Sequence, residues 1–248
     1  MRSLVAAELL KVRTTRSPYV ATALSVVLAA VLPVLYAVAA QQGTVDPIRS
    51  ADLTEMLRGP ARFAGGAVLL IGLLAAAGEF GHRTVLTTRL AEPHPERVLA
   101  AKLAALGLVG GALGVVVELV ALGAGVLVMT REGVPVQPFA HGAVQVAFTV
   151  PALLALHGVL GVAVGALLRS TAAVVGVVLF WAFVVEGVVP VVARRPGLAD
   201  WLPSGLVDSM LRTEVDGRLA PAAAAVLLLT YAAGLVAVTT VLDRRREA

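Results

Sequence analysis

The chain has 248 residues, 58% hydrophobic and 15% charged, with a mean hydropathy of +0.90. That balance excludes a soluble domain, whose surface needs far more charge, and makes lipid the solvent for most of the chain. The absence of cysteine excludes disulfides and thiolate metal sites. The net charge of +4 comes from basic residues flanking apolar runs, a pattern of membrane orientation that argues against a nucleic-acid partner.

The first element precedes any span. Val5, Leu9 and Val12 fall at i, i+4, i+7, with Glu8 and Lys11 to one side of the stripe and Arg2 and Arg13 to the other. This predicts an amphipathic helix in the inner interface, its cationic heads snorkelling to water. A disordered basic anchor is the alternative. The first span follows over about 18–40, with Pro33 inside it. Ala37-Val38-Ala39 resembles a signal-peptidase site, but the apolar run is longer than a signal h-region, so the helix is expected to stay.

A second span is expected over about 61–78, opened by Pro60 in the favoured first position of a helix. The next piece, Glu79 to Leu90, reads as a short charged helix in which Glu79 and Arg83 are spaced to pair. The Glu92-Pro93-His94-Pro95 run ends it, because each proline disfavours helical geometry in the residue before it. A solvated loop is the plainer reading of this piece. The third span runs over about 98–129 and contains Glu118; the fourth, over about 142–168, contains Pro151 and His157. After the turn Arg169-Ser170-Thr171, the fifth covers about 171–192 and contains Glu186. In the stretch from Arg194 to Ala220, Leu206, Val207, Met210 and Leu211 form a short amphipathic stripe behind Trp201 and Pro203. It reads either as a re-entrant or interfacial helix or as a loop resting on lipid. The sixth span covers about 221–242 and stops at Asp243-Arg244-Arg245-Arg246.

The expected fold is therefore all-α: one transmembrane domain of six helices, with shorter helices at its two ends. With the N-terminus inside, twelve of the 20 basic residues and six acids lie on the inner side, leaving it at +6. The other eight basic residues are cancelled by eight acids, so both termini are expected to be cytoplasmic.

Ionisable residues inside spans are functional candidates by default. Counted from Lys102 and Thr171, Glu118 and Glu186 lie about 24 Å and about 22 Å along their helices. Both are placed in the outer half, where they either line a pathway or bind a neighbouring helix, Arg58 and Arg62 being the nearest cations. His157, mid-span, reads as a helix-to-helix hydrogen bonder. Enzyme chemistry finds no constellation. The four histidines form no H-E-x-x-H, Ser25 has no G-x-S-x-G frame, and the two lysines, Lys11 and Lys102, have no phosphate-loop context. No catalytic or metal-binding residue and no bound cofactor is expected.

Three segments together resemble the permease subunits of ABC-2-type transporters, the small bacterial six-span kind. They are Glu8-Leu9-Leu10-Lys11-Val12-Arg13-Thr14-Thr15-Arg16-Ser17 before the first span; Gly78-Glu79-Phe80-Gly81-His82-Arg83-Thr84 with Arg97-Val98-Leu99-Ala100-Ala101-Lys102; and Trp201-Leu202-Pro203 between the last two spans. The resemblance implies a bacterial cytoplasmic-membrane exporter in which two permeases, identical or not, form the pathway. ATP and magnesium would then be bound by a separate ATPase. It also implies that Glu8, Lys11 and Arg13 belong to a helix facing that ATPase. Glu79, Phe80, His82, Arg83, Thr84 and Arg89 would belong to the coupling helix. Two readings from other classes stand beside it: a proton-coupled secondary transporter using Glu118 or Glu186, and a non-transporting membrane anchor or assembly factor.

Overall fold

Six helices are long and apolar enough to cross a membrane among the described residues: Arg16–Gln41, Leu53–Gly81, Pro95–Arg131, Gln145–Leu168, Thr171–Val188 and Pro221–Leu242. The structure is a computed structural model. It describes the whole chain except 50–51, 82–83, 85–87, 89, 137–142, 193–195, 212–218 and 248, and except the side chains of 52, 143–144, 189–190, 196 and 243–247. No strand occurs among the described residues. The protein is thus an all-helical, multi-pass membrane protein.

In chain order, α1 is Arg2–Thr14 and α2 is Arg16–Gln41, with only Thr15 between them. Then follow α3, Asp52–Gly81, α4, Pro95–Arg131, and α5, Ala143–Leu168. The next helix begins as α6, Thr171–Phe180, winds as a π-helix over Trp181–Val188 and ends as α7, Val189–Val192. A 3₁₀ turn, Pro196–Trp201, leads into α8, Pro203–Leu211, and α9 is Pro221–Glu247.

One helix departs from the sequence reading. Pro60 does not open α3, which starts at Asp52 and runs through it. An interior proline costs about 3 kcal/mol. The added turns bury Leu53, Met56 and Leu57, each at 3% exposure or less, and that packing outweighs the cost. The third span is one unbroken helix of 37 residues, about 55 Å at 1.5 Å per residue, and so projects past the hydrocarbon core. Its start is set by His94 as N-cap and Pro95 in the first turn. Glu92 accepts hydrogen bonds from His94 Nδ1 (2.8 Å) and its backbone N–H (3.3 Å), and the first of these holds its carboxyl below the usual range.

The core is made by α5, which lies against both α3 and α4. A Cβ on Gly161 or Gly165 would collide with the carbonyls of Leu69 and Leu73 on α3, and one on Gly158 with that of Leu106 on α4. From the other side, a Cβ on Gly110 would collide with the carbonyl of Leu154. Backbone therefore meets backbone on two faces of one helix, the packing by which helices associate when lipid removes the hydrophobic drive between them. Around this contact Leu57, Ala61, Ala64 and Val68 of α3 meet Leu113, Val117 and Ala121 of α4 and Val150, Leu153 and Leu154 of α5. The other spans are peripheral. On α6, the π segment and α9, large apolar side chains such as Leu179, Phe180, Phe183, Val226 and Leu229 are exposed, as a lipid-facing surface requires.

Gly161→Leu is expected to destabilise the bundle by about 1–3 kcal/mol through overpacking. Gly66→Ala, with nothing within 4 Å of the added methyl, is expected to leave it unchanged. Thermal unfolding in detergent compares the two.

Candidate functional site

At the end of the bundle where α3 stops and α4 begins, four charged side chains close into a ring. Lys11 Nζ lies 2.6 Å from Glu8 Oε1 and 2.7 Å from Glu79 Oε1. Lys102 Nζ lies 2.6 Å from Glu8 Oε2 and 2.9 Å from the same Glu79 oxygen, and also donates to the Ala75 carbonyl at 3.4 Å. Each carboxylate thus serves both ammonium groups, and the four charges sum to zero. Glu8 and Lys102 are buried at 5% exposure, whereas the Lys11 side chain is 43% exposed.

Three elements bring these residues together. Glu8 and Lys11 are one turn apart on α1, Glu79 is in the last turn of α3, and Lys102 is two turns into α4. The apolar stripe of α1, Val5, Leu9 and Val12, packs on a cluster of Ile71, Ala76, Leu99, Ala105 and Leu106. That packing turns the flank of the stripe that carries Glu8 inward, so Glu8 is buried in the bundle. The described partners of Glu79 are the two lysines, and Arg83, spaced to pair with it, lies outside the described residues. Burial disfavours the charged Lys11 ammonium, but its hydrogen bonds to Glu79 and Glu8 and their charges prevail, so its pKa rises above 10.5.

A clue to the ring was present in the composition. Only two of the 20 basic residues are lysines, and both are in it. A compact ammonium can be shared between two carboxylate oxygens, where a planar guanidinium imposes its own fork geometry. In the sequence Lys11 stands out as a head group of the N-terminal helix, whereas nothing local marks Lys102 as a member of the same site.

The other candidate residues are dispersed. Phe80 lies beneath Arg169, whose guanidinium carbon is 5.0 Å from the ring centroid, so the α5–α6 turn joins the same end of the bundle. Arg169 adopts φ 53° there. Thr84 bonds back to the Glu79 carbonyl through its backbone N–H (3.0 Å), and Thr88 and Glu92 continue at intervals of four. His82 and Arg89 lie outside the described residues. Arg13 is exposed on α1, and its carbonyl accepts from the Tyr19 hydroxyl at 2.8 Å.

The three intramembrane candidates do not share a site. Glu118 is buried on the α4 face between Gly114, set against Pro151 of α5, and Gly125, set against Leu53 of α3, and has no partner among the described residues. Its expected cations are engaged elsewhere. Arg58 bonds Glu55 and the Leu211 carbonyl, and Arg62 lies 2.8 Å from Asp208. Glu186 accepts from Trp181 Nε1 (3.0 Å) and from the backbone N–H of Ser204 (3.2 Å). His157 bonds through Nδ1 to the Leu153 carbonyl of its own helix (2.8 Å), which corrects its reading as a helix-to-helix bonder. Its ring fills the space above Gly65 of α3.

No family model, curated protein or solved structure matches the chain.

The ring is expected to behave as a unit. Lys102→Met leaves two carboxylates, Glu8 buried and Glu79 partly so, to one ammonium and should cost about 3–5 kcal/mol. Adding Glu79→Gln restores neutrality and should recover much of the loss, as a double-mutant cycle on detergent-solubilised protein would measure. The pH dependence has a definite sign. Because the folded Lys11 pKa is raised, its stabilisation is complete below about 10.5 and lost as pH rises through the higher folded value. Protection of α1 from limited proteolysis should therefore fall in that alkaline window, and Lys11→Met should abolish the transition.

Proposed function

We propose that this chain is the membrane-spanning permease subunit of an ATP-driven ABC-2-type exporter, working as a pair of permeases with a separate ATPase. The observation that carries the proposal is the charge ring. It ties α1 to the end of α3 and the start of α4, the two points from which the 82–94 connection leaves the bundle. A surface helix and a connecting segment fastened to the same two spans form one mechanical unit, as is needed if force delivered at one end is to reach the helices. The chain itself supplies no phosphate loop, so nucleotide chemistry falls to a partner. The excess of basic residues at this end makes it the cytoplasmic one, with both termini inside. On this reading Glu79, Phe80, His82, Arg83, Thr84 and Arg89 contact the ATPase. Glu8 and Lys11 position that surface through the ring, and ATP with magnesium binds only to the partner.

A second reading rests on Glu118. A carboxyl buried in the bundle with no partner among the described residues is what a proton-coupled secondary transporter would use. That mechanism requires a proton gradient, no ATPase, and loss of flux on Glu118→Gln.

Purification of the tagged chain from its native membrane in mild detergent separates the readings. A stoichiometric ATPase is expected to co-purify. Arg83→Glu is expected to leave membrane insertion intact while abolishing both that association and ATP-dependent transport. A chain that purifies alone and moves solute in response to pH would transfer the case to Glu118.

A further inference from the structure

The short helix α8 is secured at both ends by charges from two different spans. Its first residue, Pro203, has no N–H, so Ser204 carries the first free donor of the helix, and that donor is given to Glu186 at 3.2 Å. Its last residue, Leu211, offers a carbonyl to Arg58 Nε of α3 at 3.0 Å. A carboxylate at the N-terminus and a guanidinium at the C-terminus both oppose the helix dipole. Between them Arg62 of α3 grips Asp208 through both carboxylate oxygens, at 2.8 Å and 2.9 Å. The inner face of α8, Leu206, Val207, Met210 and Leu211, is buried in the main core.

Glu186 reaches this position because of how its own helix winds. A π-helix bonds at i→i+5 and so stacks residues five apart on one face, which an α-helix does not. Trp181 and Glu186 are five apart in the π segment, and the indole N–H donates to the same Oε1 that accepts from Ser204. One carboxylate oxygen therefore joins the π winding to the cap of α8.

We propose that Trp181–Val188 and α8 form a two-state latch at the end of the bundle opposite the charge ring. In the latched state the π winding presents Glu186 to α8, which ties the fifth span to α3 through Arg58 and Arg62. In the released state Glu186 leaves the α8 N-terminus, the segment rewinds toward α, and α8 lifts from the core. Glu186 is a positioning residue in this device. The inference is independent of what drives the protein and of whether it is a permease.

The cysteine-free, two-tryptophan chain allows a direct test once purified and reconstituted in lipid vesicles. Ser209, buried at 1% on α8, is replaced by Cys, and Trp201→Phe leaves Trp181 as the sole emitter. Labelling of the Ser209→Cys thiol by a small water-soluble maleimide reports α8, and Trp181 emission reports the π segment. Glu186→Ala is expected to raise the labelling rate about fivefold, the scale of a lost helix cap, and to shift Trp181 emission. Glu186→Gln, which keeps an acceptor but not the charge, should give a smaller change in both and serves if the Ala variant does not accumulate. Gln41→Leu, which breaks the 2.7 Å hydrogen bond to Glu132 at the same end of the bundle, should change neither. A shift in emission with unaltered labelling would mean that Glu186 only orients the indole. An equal rise in labelling from Gln41→Leu would mean general loosening of that end. Either result overturns the latch.

Discussion

The backbone contact of α5 with α3 and α4 is the constraint from which the rest of the bundle is built. Helices in lipid gain little by hiding apolar side chains from one another, so they must gain dispersion by approaching closely. Gly110, Gly158, Gly161 and Gly165 permit that approach at points where a single methyl would strike a carbonyl. Three spans are thereby fixed to one another with little freedom to slide. The remaining spans have no such contact: α6 and α9 present mostly exposed apolar faces, and α2 is exposed along much of its length. The rigid part of this protein is its three-helix centre.

Polar interactions then do at the two ends what glycine does in the middle. At one end the ring of Glu8, Lys11, Glu79 and Lys102 fastens α1 to the centre as a neutral set whose mutual attractions offset the desolvation of its members. At the other, Glu186, Arg58 and Arg62 fasten α8. The two differ physically. The ring is a closed set in which every member has two partners, so opening it exposes several charges at once. The α8 attachment is a series of separate bonds from separate spans, and one can be lost while the others stay. If the latch and the exporter reading hold, a stiff end and a releasable end joined by a close-packed centre would carry force from one side of the membrane to the other.

Glu118 stands apart from both. It is buried on the inner face of the longest helix, and Arg58 and Arg62 pair with Glu55 and Asp208 instead. A polar group retained at such a position is costly to the fold. For that reason the secondary-transporter reading keeps a definite physical basis beside the exporter reading.

Composition and apolar run length alone determined the class of protein, the six spans and the breaks at Pro93, Pro95 and Ser170, because lipid demands an unbroken apolar helix wherever the chain crosses. The amphipathic stripes of α1 and α8 were legible too, since a period of 3.6 is a local property. Only the tertiary structure decided what those stripes rest on and which charges meet. Glu8 and Lys102 are 94 positions apart, and Glu186 finds the N-terminus of α8 through a π winding that no residue pattern announced. The early start of α3 was hidden for the same reason. Pro60 argues locally for a helix end, and only the packing of Leu53 and Met56 against the neighbouring helices outweighs it. Spans are written in each segment by its solvent, but partners are chosen by helices that approach from elsewhere in the chain.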